Sequence, residues 1–223
     1  MKHILCFGDS NTWGYDGATY DPATGIAKRM DYEMRWTGVM QKKLGENYRV
    51  IENALNGRTC MHEDPYSPHR LGLCSLEEAL EANAPLDLVI LKLGVNELKS
   101  MFSLTAGMIS YGMEKLVQTA QTSCYGYPIP KVLLIAPHPV SKDIDRARFG
   151  FAFGPLAHLK SIELAALYCD IADRYGCEFI DCSELRFTLD AFDGLHYTRE
   201  DHAKLANAAT GKVLKMLQST QQI

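Results

Sequence analysis

Leu86-Asp87-Leu88-Val89-Ile90-Leu91-Lys92-Leu93 is an almost continuous aliphatic run, followed directly by Gly94-Val95-Asn96-Glu97. It is short for a helix and shows little alternation, so it reads as a strand covered on both faces, as in a parallel sheet. Similar runs occupy residues 3–7 (HILCF), 48–53 (YRVIEN), 131–137 (KVLLIAP) and 177–181 (CEFID). Between them, residues 35–44, 105–123, 155–175 and 200–217 carry apolar side chains at helical spacing. Ser75-Leu76-Glu77-Glu78 has the S-x-x-E form of a capping box and predicts a helix opening there and ending near residue 83. Alternating strands and helices predict an α/β fold, a three-layer α/β/α domain around a parallel sheet of about five strands. No Pro/Gly/Ser-rich or charge-rich stretch divides the 223 residues, so residues 1–223 are expected to form a single domain.

Composition narrows the function classes. Hydrophobic residues make up 47% and charged residues 22%, as in ordinary globular proteins. A net charge of −4, without a Lys/Arg cluster, gives no electrostatic basis for binding nucleic acid or an anionic membrane. The expected partners are neutral small molecules or copies of the same chain. No stretch reaches the roughly 18 apolar residues of a membrane span. The apolar run at the N-terminus is too short for a signal peptide, so cytoplasmic residence is expected. The seven cysteines (Cys6, Cys60, Cys74, Cys124, Cys169, Cys177 and Cys182) are odd in number and lack C-x-x-C spacing. That argues against a disulfide framework or zinc ribbon and for reduced thiols.

In parallel α/β sheets, ligands bind beyond the carboxyl ends of the strands. Phe7-Gly8-Asp9-Ser10-Asn11-Thr12 ends the first strand, where a serine hydroxyl can point outward and the next amides can face a reacting oxygen. The segment lacks the G-x-S-x-G elbow of α/β-hydrolases. Taken alone, it fits a solvent-exposed turn or helix cap better, with Asp9 organising the turn. Asn53-Ala54-Leu55-Asn56-Gly57-Arg58-Thr59 follows the second strand; Gly57 permits close backbone approach, and its N–H can serve as an oxyanion donor. Asn96 follows the third strand and offers an amide for the same purpose. Far along the chain, Asp193-Gly194-Leu195-His196 can place a carboxylate on imidazole Nδ1, leaving Nε2 as a base for a serine.

Other candidates weigh less. His62 and His69 lie near acids, but their spacing matches no metal motif, and no metal is expected. His202 is expected on a helix surface, near enough in sequence to His196 to act as a second base. Trp13, Tyr15 and the Phe149, Phe151 and Phe153 series fall in expected loops, where they line a pocket or pack against another chain.

The four blocks, G-D-S, a central Gly, G-x-N and D-x-x-H, resemble those of the SGNH (GDSL-like) hydrolase family. ILCFGDSNTWGY, RWTGVM, LNGRT, LDLVILKLGVNELK and DGLHYT resemble its arylesterase/acyltransferase branch, over nearly the whole chain. The resemblance implies a flavodoxin-like SGNH-hydrolase fold, with Ser10 as nucleophile and His196 as general base oriented by Asp193. Ser10 N–H, Gly57 N–H and the Asn96 amide would form the oxyanion hole. The implied function is that of a serine esterase/acyltransferase acting on small, acetyl-like esters without a cofactor, with water or an alcohol as acceptor. A carbohydrate or xenobiotic acetylesterase with the same triad is the alternative, and a non-catalytic binding protein is the reading from another class. The resemblance also implies that Trp13, Tyr15, Phe151 and Phe153 bind substrate in a channel walled by neighbouring subunits, hence a homo-oligomer. Two positions depart from the family pattern. Glu97 replaces the usual Asp, adding a methylene in the turn that holds Asn96, and Ala54 stands where near relatives often carry Gly.

Overall fold

The computed structural model describes residues 1–122 and 126–218; Cys124 and the expected helix end at Ser123 lie outside them. Five strands, β1 (Lys2–Gly8), β2 (Tyr48–Ala54), β3 (Leu88–Lys92), β4 (Lys131–Ala136) and β5 (Glu178–Asp181), form one sheet in the order β2-β1-β3-β4-β5. Every neighbouring pair is parallel. The helices are α1 (Ser10–Trp13), α2 (Trp36–Leu44), α3 (Gly72–Ala82), α4 (Ala106–Thr122), α5 (Gly150–Phe153), α6 (Ala157–Tyr175) and α7 (Arg199–Gln218). This is the expected three-layer α/β/α architecture.

Side chains alternate across each strand, and both faces are covered, which explains the continuous apolar runs. Leu5, Phe7, Val89, Leu91 and Leu134 pack with Leu76 of α3, Met113 of α4 and Leu164 of α6. Ile4, Cys6, Leu88, Ile90 and Leu133 face the other way, against Trp36 and Met40 of α2 and Leu205 and Val213 of α7. Each fully buried Leu or Ile stabilises the fold by about 1.5–3 kcal/mol relative to exposure. Among the described residues, no helix is long and apolar enough to cross a membrane.

Two local expectations are corrected. α3 begins at Gly72, ahead of the S-x-x-E segment, and the Ser75 hydroxyl donates back to the Leu71 carbonyl at 2.7 Å instead of capping. The amides of Gly72 and Leu73 donate to the carbonyls of Thr59 and Cys60, so tertiary partners replace the side-chain cap. The Phe-rich stretch is the short helix α5, not a loop, with the Phe149 carbonyl accepting the amides of Ala152 and Phe153.

β1 is followed in sequence by β2 on one side and is paired with β3 on the other, so the strand order reverses between β1 and β3. Gly8 is in register with both Ala54 and Lys92, bringing three strand ends to one place. Such a switch point leaves a crevice for ligand.

Candidate active site

β1 runs directly into α1 through Asp9. Its carboxylate accepts the Asn11 amide at 2.9 Å, and its carbonyl accepts the amides of Thr12 and Trp13. A Cβ at Gly8 would collide with the Thr12 side chain, so only glycine lets α1 fold this tightly onto the strand end. Ser10 is the first residue of α1, and its own amide is outside that set of capping bonds. Behind the turn lies fully buried Lys92, its ammonium 3.7 Å from Asp9 Oδ1 and 4.5 Å above the Tyr197 ring.

Ser10 Oγ lies 2.9 Å from His196 Nε2, and His196 Nδ1 lies 2.8 Å from Asp193 Oδ2. The other Asp193 oxygen accepts the amides of Leu195 and His196, each at 2.9 Å. Burial pushes the Asp193 carboxyl up, but the imidazole and the two amides outweigh it and hold it below the usual carboxylate range. Asp193 therefore stays ionised and keeps the proton on Nδ1, which leaves Nε2 free to accept one from Ser10.

Asn11 was not singled out by its sequence context, yet it clamps this arrangement. Its side-chain oxygen accepts the Tyr197 amide at 2.9 Å, and its amide donates to the Leu195 carbonyl at 3.3 Å. The residue after Ser10 is thus bonded on both sides of His196. Tyr15 stacks on the His196 ring with centroids 3.9 Å apart, and Phe149 meets that ring edge-on at 5.9 Å.

The second and third loops interlock. Asn96 Nδ2 donates to the Arg58 carbonyl at 3.0 Å, leaving its second amide hydrogen available to a ligand. The Arg58 guanidinium donates to the carbonyls of Gly8 and Asn53 and to Asn53 Oδ1, tying the ends of β1 and β2 to this loop. Gly57 takes φ +79°, the left-handed region that glycine enters without penalty. Glu97 is fully buried, and its carboxyl accepts the Cys60 amide. Burial pushes it up to about 7. Its extra methylene thus reaches a backbone donor across the loop and gives the side chain a bonding role of its own.

Ser10, His196, Gly57 and Asn96 share a cavity of about 420 Å³. Tyr15, Phe149 and Phe153 supply its aromatic lining, and Arg70 and Lys99 its charged lining. Phe151 is 89% exposed and lies outside it. Residues 149 and 153 stand four apart on one helix face, which turns residue 151 away. Trp13 is also outside the lining; its ring lies 5.1 Å beneath the Arg29 guanidinium. His202 is wholly buried, not on a helix surface, and its Nδ1 accepts the Trp36 amide at 3.1 Å. Burial, with Lys92 nearby, pushes it down to about 3, so it is neutral and turned to structural use. Among the described residues, no group of three or more His, Cys, Asp or Glu is placed to hold a metal ion.

Est24, a carbohydrate acetylesterase from Sinorhizobium meliloti, is 38% identical, with 97% of this chain and 100% of that chain covered and a TM-score of 0.89. The Mycobacterium smegmatis aryl esterase is 35% identical over 97% and 100% of the two chains, with a TM-score of 0.90. A lipase/acylhydrolase from Enterococcus faecalis shares the fold at 18% identity, covering 100% of each chain with a TM-score of 0.70. The search of curated proteins returns no match. Residues 6–204 match the GDSL-like lipase/acylhydrolase family, and the chain belongs to that family of hydrolases.

Proposed function

We propose that this chain is a serine esterase and acyltransferase that moves small acyl groups from esters to water or to alcohols. The observation that carries the reading is the contact of Ser10 Oγ with His196 Nε2 at 2.9 Å, backed by Asp193 at 2.8 Å. Ser10 Oγ attacks the ester carbonyl while His196 takes its proton, and the negative charge on the carbonyl oxygen meets the amides of Ser10 and Gly57 and the Asn96 side chain. The tetrahedral intermediate collapses as His196 protonates the departing alcohol, leaving an acyl-Ser10 ester. Water or a second alcohol then attacks with His196 again as base. The aromatic lining from Tyr15, Phe149 and Phe153 favours an alcohol that gains by burying carbon.

An acetylated carbohydrate is the second reading for the ester, favoured by 38% identity to the Sinorhizobium meliloti acetylesterase. A binding protein without catalysis is disfavoured by the assembled Ser10–His196–Asp193 chain. Exposed Phe151, Leu156, Leu159 and Ile162, three of them at the start and along one side of α6, support a homo-oligomer that covers this face. The six described cysteines are free, which supports the expected cytoplasmic setting.

The test supplies p-nitrophenyl acetate, then vinyl acetate with dilute benzyl alcohol, to the wild type and to Ser10→Ala. Wild type should release nitrophenol and make benzyl acetate alongside free acetate, and a folded Ser10→Ala protein should do neither. Turnover that survives Ser10→Ala would overturn the mechanism, and acetate as sole product would remove the transferase half.

A further inference from the structure

The net charge of −4 argues for neutral partners, yet the catalytic cavity runs against that average. Arg70 and Lys99 line it beside Ser10 and Gly57, and no carboxylate does. The Lys99 ammonium is already occupied, 2.6 Å from Oδ2 of buried Asp64. Among the described residues Arg70 forms no ion pair, and its Nε is buried with no hydrogen-bond partner. The charge it faces is of like sign: Arg58 is pushed down to about 10 by burial, with Asp9 opposing and Arg70 adding to the fall.

Arg70 is also held in place. Thr59 N–H donates to the Arg70 carbonyl at 3.1 Å, and Thr59 bridges Leu71. His69 takes φ +63°, a conformation that residues with side chains seldom adopt, turning the chain immediately before Arg70. A cation that lines the same cavity as Ser10 and has no counter-ion of its own among the described residues is left to be completed by a ligand.

We infer that Arg70, flanked by Lys99, is an anion subsite of the catalytic cavity and that the preferred ester carries a carboxylate. The inference rests on the esterase reading above and names the substrate class within it. The planar guanidinium pairs with a carboxylate through two parallel bonds. One unpaired cation suits one negative charge better than the roughly two of a phosphate monoester. The carboxylate sits either on the acyl half, as in a dicarboxylic half-ester, or on the alcohol half, as in an O-acetylated uronic acid.

Both placements are tested through kcat/KM ratios. One arm compares mono-p-nitrophenyl succinate with p-nitrophenyl butyrate; the other compares an O-acetylated glucuronate with its methyl ester. In one arm the charged ester should be favoured by about ten- to hundredfold, the range of a hydrogen bond to a charged group. The preference should shrink as salt rises from 0.05 to 0.5 M. Arg70→Gln should bring the ratio near one, mainly through KM, and Arg70→Lys should restore part of it. If Arg70→Gln does not fold, the wild-type ratios and their salt dependence decide. Ratios near one in both arms, with neutral esters still turned over, would overturn the subsite and leave the esterase standing. No turnover of any of these esters would overturn both.

Discussion

Replacing Glu97 by Gln should change how stability depends on pH, because this buried side chain holds a proton that the unfolded chain would release. A carboxyl with an ordinary value of 4.5 is pushed up to about 7 by burial. The folded state therefore binds more protons than the unfolded state between those values. Its contribution to stability is complete below about 4.5 and is lost as pH rises through about 7. At about 1.4 kcal/mol per pH unit across that window, the loss is roughly 3 kcal/mol. Gln keeps an oxygen for the Cys60 amide and carries no charge at any pH, so it should match the wild type near pH 5 and exceed it at pH 8. For a chain of this length the gap amounts to roughly 5–10 °C in melting temperature. Melting both proteins by calorimetry at half-unit steps from pH 4.5 to 8 reads it directly, and other titrating groups cancel in the difference. A difference that stays constant with pH would refute the reasoning. Glu97→Asp should do the reverse of a return to the family residue: its shorter side chain withdraws from the Cys60 amide, leaving a buried donor open at about 1–3 kcal/mol.

Asn96→Ala should lower kcat on p-nitrophenyl acetate by about 10²–10³ with little change in KM, since the amide is used most at the transition state. A loss confined to KM would make Asn96 a substrate-binding residue instead. Asn11→Leu removes the two bonds from Asn11 to the segment around His196, leaving only the Ser10–His196 contact, and should lower kcat by roughly 10–100-fold through misplacement alone. Full activity in a folded Asn11→Leu protein would show that Asp193 positions His196 unaided. His202 lies at about 3 when folded against an ordinary 6.5, so its contribution is present above 6.5 and lost as pH falls toward 3. His202→Asn keeps an acceptor for the Trp36 amide and should flatten the acid side of a melting profile taken from pH 4 to 7; an unchanged slope would contradict the buried neutral imidazole.

The central strands β1, β3 and β4 were legible because they are buried on both faces, which calls for short runs of consecutive apolar residues too brief for a helix. The four blocks that meet around the cavity were legible because each closes on itself over a few residues: a strand end with its turn, or Asp193 three residues before His196. What spans the chain was not. Asn11 and Leu195 are 184 positions apart, and nothing in the spacing of either announces their bond. The helical phase that puts Phe149 and Phe153 in the cavity and Phe151 in solvent was hidden because RFGFAFGP carries two glycines and reads as a loop. Arg70 sits among Pro, Tyr, Ser and His with no periodicity, so its place in the cavity lining follows only from its bonds to the segment around Thr59.

Lys92 shows the same limit inside the most readable stretch of the sequence. In LDLVILKL it is a cation in an otherwise mostly aliphatic run, and its side chain is fully buried with no hydrogen-bond partner. The reason lies in Asp9, equally buried, whose second carboxylate oxygen also lacks a partner. Asp9 must stay in place because it caps the turn that carries Ser10, and a lone carboxylate there would be strongly disfavoured. Lys92 supplies the opposite charge at 3.7 Å and the Tyr197 ring supplies a face for its ammonium. Breaking such a buried pair from one side is worth about 3–5 kcal/mol. The charge at position 92 is thus explained by a carboxylate 83 residues earlier in the chain, brought beside it because the ends of β1 and β3 meet in register.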